Sequence, residues 1–119
     1  MLINMNSLTA IVPFYNEETF IEKSVNRLLN IDLIEKIILV DDASTDRSTD
    51  IAKNISKIHK NIIYKRLPVN SGKGNAISHV KSEVTTTHII IHDADLEYFP
   101  EDIVEMFELA KKNENSLIL

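Results

Sequence analysis

An apolar run, Ile89-Ile90-Ile91-His92, leads directly into two carboxylates spaced i, i+2, Asp93-Ala94-Asp95. Such a run reads as a buried β-strand, and acids at its end would meet whatever ligand sits at the carboxyl edge of a parallel sheet. Acids gathered in one place repel one another unless positive charge lies between them, and a divalent cation bridging to a phosphate is a common remedy. The chemistry suggested is metal-assisted binding of a nucleotide. Three more polar clusters sit in comparable positions. Pro13-Phe14-Tyr15-Asn16-Glu17-Glu18 follows the apolar run 8–12, and Asp41-Asp42 closes the run 36–40. Asn70-Ser71-Gly72-Lys73-Gly74-Asn75 holds both glycines of the chain. Its lysine could counter phosphate charge, but the upstream glycine and the Ser/Thr after lysine that define a P-loop are absent.

Each cluster taken singly has an ordinary explanation. Asp41 and Asp42 could be acids beside a helix N-terminus, worth ~0.3–1 kcal/mol there, or one could accept from a nucleobase or a ribose hydroxyl. Asp93 to Asp95 could be a solvated turn, with Glu97 a third oxygen donor two residues on. His92 reads as a packed strand residue, and the aromatics Phe14 and Tyr15 could belong to the core. What unites the clusters is that all of them fall at the ends of predicted strands.

The elements that would position them alternate. Strands are expected at Leu8–Val12, stopped by Pro13, and at Lys36–Val40, Asn61–Leu67 and His88–His92. Between them the helical spacing predicts a helix over Glu17–Asn30 with Ile21, Val25, Leu28 and Leu29 inward. A second helix, N-capped from Ser44, Thr45 or Asp46, would bury Ile51, Ile55 and Ile58. A third would turn Ala76 or Ile77, Val80 and Val84 inward. Pro100 suits the first turn of a final helix with Ile103, Val104, Phe107 and Ala110 facing the core, and Ser116–Leu119 reads as a strand just beginning. The fold class expected is α/β: a single Rossmann-like domain over 1–119, a mainly parallel sheet with helices on both faces. Ligands of such sheets bind outside the carboxyl ends of the strands, where strand order reverses.

Bulk properties narrow the partners. With 119 residues and a net charge of −5, the chain lacks the basic balance of a non-specific nucleic-acid binder, so no nucleic-acid partner is expected. The absence of cysteine excludes disulfides and thiolate metal sites. His59, His79, His88 and His92 are scattered, without zinc-site spacing. No apolar run approaches the ~20 residues of a membrane span, and Met1–Ser7 lacks the basic flank and apolar core of a signal peptide. The expectation is a cytoplasmic protein.

In this order and spacing, the segments Ile11–Glu18, Val40–Asp46, Asn70–Ala76 and Asp93–Leu96 resemble the inverting glycosyltransferases of the GT-A fold, family 2 type. The likeness is greatest to dolichol- and polyprenyl-phosphate mannosyl- or glucosyltransferases, and it runs from about Leu8 to the last residue. The resemblance implies that Pro13, Tyr15 and Glu17 line a nucleoside pocket, that Asp42 contacts the base, and that Gly72 and Lys73 border base and phosphates. Asp93-Ala94-Asp95 would be the DXD motif. Asp93 would lie near the ribose or donor sugar, and Asp95, with Glu97, would hold Mg²⁺ or Mn²⁺ on the diphosphate. The donor would be a UDP- or GDP-linked sugar. The acceptor would be a polyprenyl phosphate or a growing glycan of the cell envelope, which leaves open peripheral association with the cytoplasmic face of a membrane.

Two residues depart from the pattern. Ala43 stands where relatives usually carry glycine, which is tolerable if its φ is negative, and Glu97 stands where close relatives often carry glutamine. The family's catalytic domain is also longer, and its second half supplies the acceptor site, so the expectation is a truncated, donor-binding half with no general base of its own. Two other readings compete. The chain could be a non-catalytic donor-binding fragment, or it could be a phosphoacceptor receiver domain, although the third strand then lacks its acceptor aspartate and the last strand its lysine.

Overall fold

Four aliphatic runs form one parallel sheet in the order β3-β2-β1-β4. They are β1 (Leu8–Phe14), β2 (Ile34–Asp41), β3 (Ile62–Arg66) and β4 (His88–Ile91). The structure, a computed structural model, describes residues 7–95 together with 104, 105, 108 and 109. β1 is buried along its whole length, as expected for a strand with neighbours on both sides and helices over both faces.

Three helices connect the strands: α1 (Ile21–Leu29), α2 (Ser48–Ile58) and α3 (Lys73–Val80). Period-2 alternation divides the strand side chains between two cores. On one face Leu8, Ala10, Val12, Ile37 and Leu39 meet Ile21, Val25 and Leu28 of α1 and Ala52 and Ile55 of α2. On the other, Ile11, Ile38 and Val40 meet Ala76 and Val80 of α3. Each aliphatic side chain buried completely in these layers contributes about 1.5–3 kcal/mol. The expected doubly wound arrangement is therefore present. The order 3-2-1-4 is that of dinucleotide-binding sheets, not the 2-1-3-4-5 order of flavodoxin-like ones, which removes the receiver-domain reading.

Several local expectations need correction. β1 does not stop at Pro13 but runs on to Phe14, with Pro13 level with Val40 of β2. The His92 amide donates to the Ile11 carbonyl at 2.9 Å, so residue 11, and by alternation residue 13, faces the β4 side. β4 ends at Ile91 opposite Ile11, and the amide that proline lacks would have had no strand to meet. α1 begins four residues later than expected because residues 17–20 form a turn, in which Phe20 and Ile21 both donate to the Glu17 carbonyl. α2 starts at Ser48, so Ser44, Thr45 and Asp46 lie ahead of it. Ile58 is 74% exposed; it is the last residue of α2, where the chain turns extended at His59. α3 ends at Val80 and passes into a 3₁₀ turn over 81–83, and Val84 reaches the second core from beyond it. Val104 is 41% exposed, bordering a cavity with Arg27 and Leu33 rather than filling the core. Pro100, Ile103, Phe107, Ala110 and the strand at 116–119 lie outside the described residues.

Candidate functional site

Strand order reverses between β1 and β4, and the ends of these two strands open onto a cleft of about 220 Å³. Reciprocal hydrogen bonds fix their register at the opposite end. Ser7 N donates to Thr87 Oγ1 at 2.8 Å and Thr87 N to Ser7 Oγ at 3.1 Å, setting Leu8 against His88. Two residues past the last pair, Ile11 and Ile91, stand Pro13 on one strand and Asp93 on the chain leaving the other. Pro13, Tyr15 and Glu17 line the cleft from the β1 side, and Asp93, Ala94 and Asp95 line it from β4. Asp42, after β2, and Lys73, at the start of α3, complete it. Of the donor-site residues expected from sequence, Gly72 alone does not line the cleft, and Glu97 lies outside the described residues. Phe14 and Ala76 also line it and were not anticipated. The signal for Ala76 was available, since it lies three residues after Lys73 and so on the same helical face.

The two acids ending β2 have different environments. Asp41 is fully buried. Its Oδ1 accepts from Ser44 N at 2.8 Å, and its Oδ2 accepts from Thr49 Oγ1 and Tyr64 Oη, each at 2.6 Å, and from Arg66 Nη1 at 3.0 Å. Burial alone would push this carboxyl up, but the hydrogen bonds from Thr49, Tyr64 and Ser44 outweigh it and hold the carboxyl below its usual range. The same burial and the bond to Asp41 push the Tyr64 phenol up to about 12. Arg66 also donates to the Ser44 carbonyl at 3.1 Å, so the network braces the loop after β2. Asp42 faces the opposite way. Its two oxygens accept from Ser71 N at 2.8 Å and Gly72 N at 2.9 Å, which ties the glycine loop to the end of β2. Each oxygen keeps a second lone pair for a ligand.

The glycine loop makes its turn at Gly72, whose φ of +89° few side chains tolerate. Asn75 Nδ2 closes it by donating to the Ser71 carbonyl at 2.8 Å. From this turn Lys73 Nζ reaches Asp93, at 2.9 Å from Oδ1 and 3.1 Å from Oδ2. Both partners are partly open to solvent, so the pair contributes at most about 1 kcal/mol to folding.

Ala43 has φ +62°, so the condition under which it would replace glycine without strain is not met. A left-handed alanine costs about 1–2 kcal/mol, and the Arg66 and Asp41 bonds to Ser44 hold the loop in place despite it.

Negative charge accumulates in the cleft. Burial raises the Glu17 carboxyl above its usual range, and Asp95, Asp46 and Asp93 raise it further. Burial lowers the His92 imidazole below its usual range despite Asp93 and Asp95 nearby. Among the described residues no three His, Asp or Glu side chains form a metal cage by themselves. Mg²⁺ sites in nucleotide enzymes commonly use one or two carboxylates, with phosphate oxygens and water completing the shell. Asp95 and Asp93 fit that donor chemistry, and the repulsion that raises Glu17 is what a cation would relieve.

Residues 9–119 match glycosyl transferase family 2, and the chain belongs to that family. It is 33% identical over 115 residues to the undecaprenyl-phosphate 4-deoxy-4-formamido-L-arabinose transferase of Pectobacterium carotovorum, covering 92% of this chain and 35% of the relative. It is 32% identical over 124 residues to a dolichyl-phosphate beta-glucosyltransferase of Trichomonas vaginalis, covering 93% and 36%. The chain thus spans about a third of the length of these relatives. Among solved structures, S. aureus TarS 1–349 in complex with UDP-GlcNAc superposes with a TM-score of 0.74 at 24% identity, over 89% of this chain and 31% of that one. The mannosyltransferase PcManGT of Pyrobaculum calidifontis, in complex with GDP-Man and Mn²⁺, gives a TM-score of 0.70 at 26% identity, over 77% and 28%. The fold is that of GT-A glycosyltransferases.

Proposed function

We propose that this chain binds the nucleoside diphosphate of an activated sugar, with a divalent cation, and presents the sugar for inverting transfer. The observation that carries the reading is the meeting of Asp93, Asp95, Glu17 and Lys73 in one cleft at the β1/β4 switch point. Pro13, Tyr15 and Glu17 would form the wall beside the nucleoside, and Asp42 would accept from the base. Gly72 and Lys73 would border the base and phosphates. Asp93, with Ala94 behind it, would face the ribose or sugar. Asp95, and Glu97 after it, would hold Mg²⁺ or Mn²⁺ as the DXD-type metal site. Bound there, the cation would neutralise charge on the departing nucleoside diphosphate.

Solved relatives in complex with UDP-GlcNAc and with GDP-Man support a uridine or guanosine diphosphate. Relatives named for dolichyl and undecaprenyl phosphates support a polyprenyl phosphate acceptor, with a growing cell-envelope glycan the other candidate. A phosphate acceptor is already anionic, so its attack needs no general base, and none is assigned here. Among the described residues no helix is long and apolar enough to cross a membrane. A lipid acceptor would bring the protein to the cytoplasmic face of the membrane by peripheral contact.

Thermal unfolding with Mn²⁺ and each of UDP, GDP, ADP and CDP tests the reading. UDP or GDP should raise the midpoint, since a ligand that binds only the folded state stabilises it. Equal midpoints with all four and with none would overturn the proposal.

A further inference from the structure

Three consecutive amides after β1 donate to side chains of the loop after β2 and of the first residue of α2. Asn16 N donates to Ser44 Oγ at 3.0 Å, Glu17 N to Ser48 Oγ at 2.8 Å and Glu18 N to Asp46 Oδ2 at 3.2 Å. One side chain answers in the other direction. Asn16 Oδ1 accepts from Thr45 N at 2.8 Å and Asp46 N at 3.2 Å, while its Nδ2 donates to Thr45 Oγ1 at 3.2 Å. Asn16 itself has φ +51°, a conformation asparagine tolerates better than most residues. It stands between Tyr15 and Glu17, both of which line the cleft, but does not line it. The partners it grips stand on the loop that Arg66 and Asp41 brace from behind.

From this reciprocal clasp we infer that Asn16 is a positioning residue, which fixes the Tyr15–Glu17 wall of the cleft against the rigid end of β2. Residues 15–18 lie past the end of β1, and the clasp is what ties that short segment to the loop after β2. The inference rests on the nucleotide reading above, because the wall matters only if a ligand leans on it.

The test is the affinity of the full chain for UDP and GDP in Mn²⁺, measured for Asn16→Gly in two backgrounds. Glycine keeps the positive φ and the three backbone amide bonds but removes the side-chain half of the clasp. In the wild-type background affinity should fall about tenfold, the penalty of ordering roughly one residue's backbone on binding. In a Tyr15→Ala/Glu17→Ala background, where the wall is already gone, Asn16→Gly should change nothing further. Asn16→Asp, which keeps the acceptors for both amides, should lose less than Asn16→Gly. An unchanged affinity for Asn16→Gly, an equal loss in both backgrounds, or an equal loss for Asn16→Asp would each overturn the inference. If the wild-type chain binds neither nucleotide, the proposed function itself falls, a result distinct from those three.

Discussion

The carboxyl ends of β2 and β4 each carry two acids, yet the structure uses them in opposite ways. At β2, Asp41 is buried with four donors on its two oxygens, and Asp42 is engaged by two backbone amides of the glycine loop. At β4, Asp93 meets a half-open lysine, and Asp93 and Asp95 share the cleft with Glu17, whose carboxyl they help to raise. One end is a network that holds loops in place, with Asp42 also lining the cleft. The other gathers Asp93, Asp95 and Glu17 in one cleft with a half-open lysine. Stability and the proposed ligand chemistry are thereby weighted to the two strands that flank β1, and an acid's position in the sequence does not reveal which task it serves.

Urea denaturation gives the sharpest way to break this contrast. Asp41→Ala strands the Ser44, Thr49 and Tyr64 donors and should cost about 3 kcal/mol, whereas Asp93→Ala should cost under about 1 kcal/mol. Equal losses would contradict the division of labour. The pH dependence of the urea midpoint should carry opposite signs at the two ends. Asp41 titrates below its ordinary value of 3.8, so its contribution is present above that pH and lost as pH falls through the lower native value. Asp41→Asn should remove that acid-side loss. Glu17 titrates above its ordinary value of 4.5, so its contribution is full below that pH and declines as pH rises through the higher native value. Glu17→Gln should therefore flatten the profile on its alkaline side.

A smaller effect belongs to the strained loop. Ala43→Gly should stabilise the protein by roughly 0.5–1 kcal/mol, the left-handed penalty relieved less the entropy glycine adds to the unfolded chain, read as a rise in thermal midpoint. A lower midpoint would mean that the loop gains from the methyl group more than it loses in backbone strain. Smallest of all, Lys73→Met should move the urea midpoint by no more than about 0.5 kcal/mol while weakening nucleoside diphosphate binding by calorimetry. A large stability loss there would place Lys73 with the β2 network instead.

Element order, the two-faced sheet and the gathering of polar clusters were legible because they follow from period-2 and period-3.6 patterns and from chain topology. The pairs that bind distant loops were not. Nothing adjacent to Asp41 in sequence announces Tyr64 or Arg66, so only the family resemblance set Asp42 apart from Asp41, and the buried role of Asp41 was not legible. Ser44, Thr45 and Asp46 carry the composition of a helix cap; Asp46 does accept from the Ser48 amide at the start of α2, but all three also bond Asn16 or Glu18 of another loop. Pro13 read as a strand stop because the missing amide matters only on a side with a neighbour, and the length of β4 decides that. Ala43 shows the same limit. Its strain is set by a backbone angle that the residue's identity does not reveal.

The central proposal, that the β4 acids hold a cation against a diphosphate, is tested most directly by calorimetry of UDP and GDP binding with and without Mn²⁺, in the wild-type chain and in Asp95→Ala. Mn²⁺ should tighten wild-type binding of one nucleotide by tenfold or more, about 1.4 kcal/mol of coupling, and that gain should vanish in Asp95→Ala. Equal wild-type affinity with and without Mn²⁺, or a gain that survives Asp95→Ala, would contradict it.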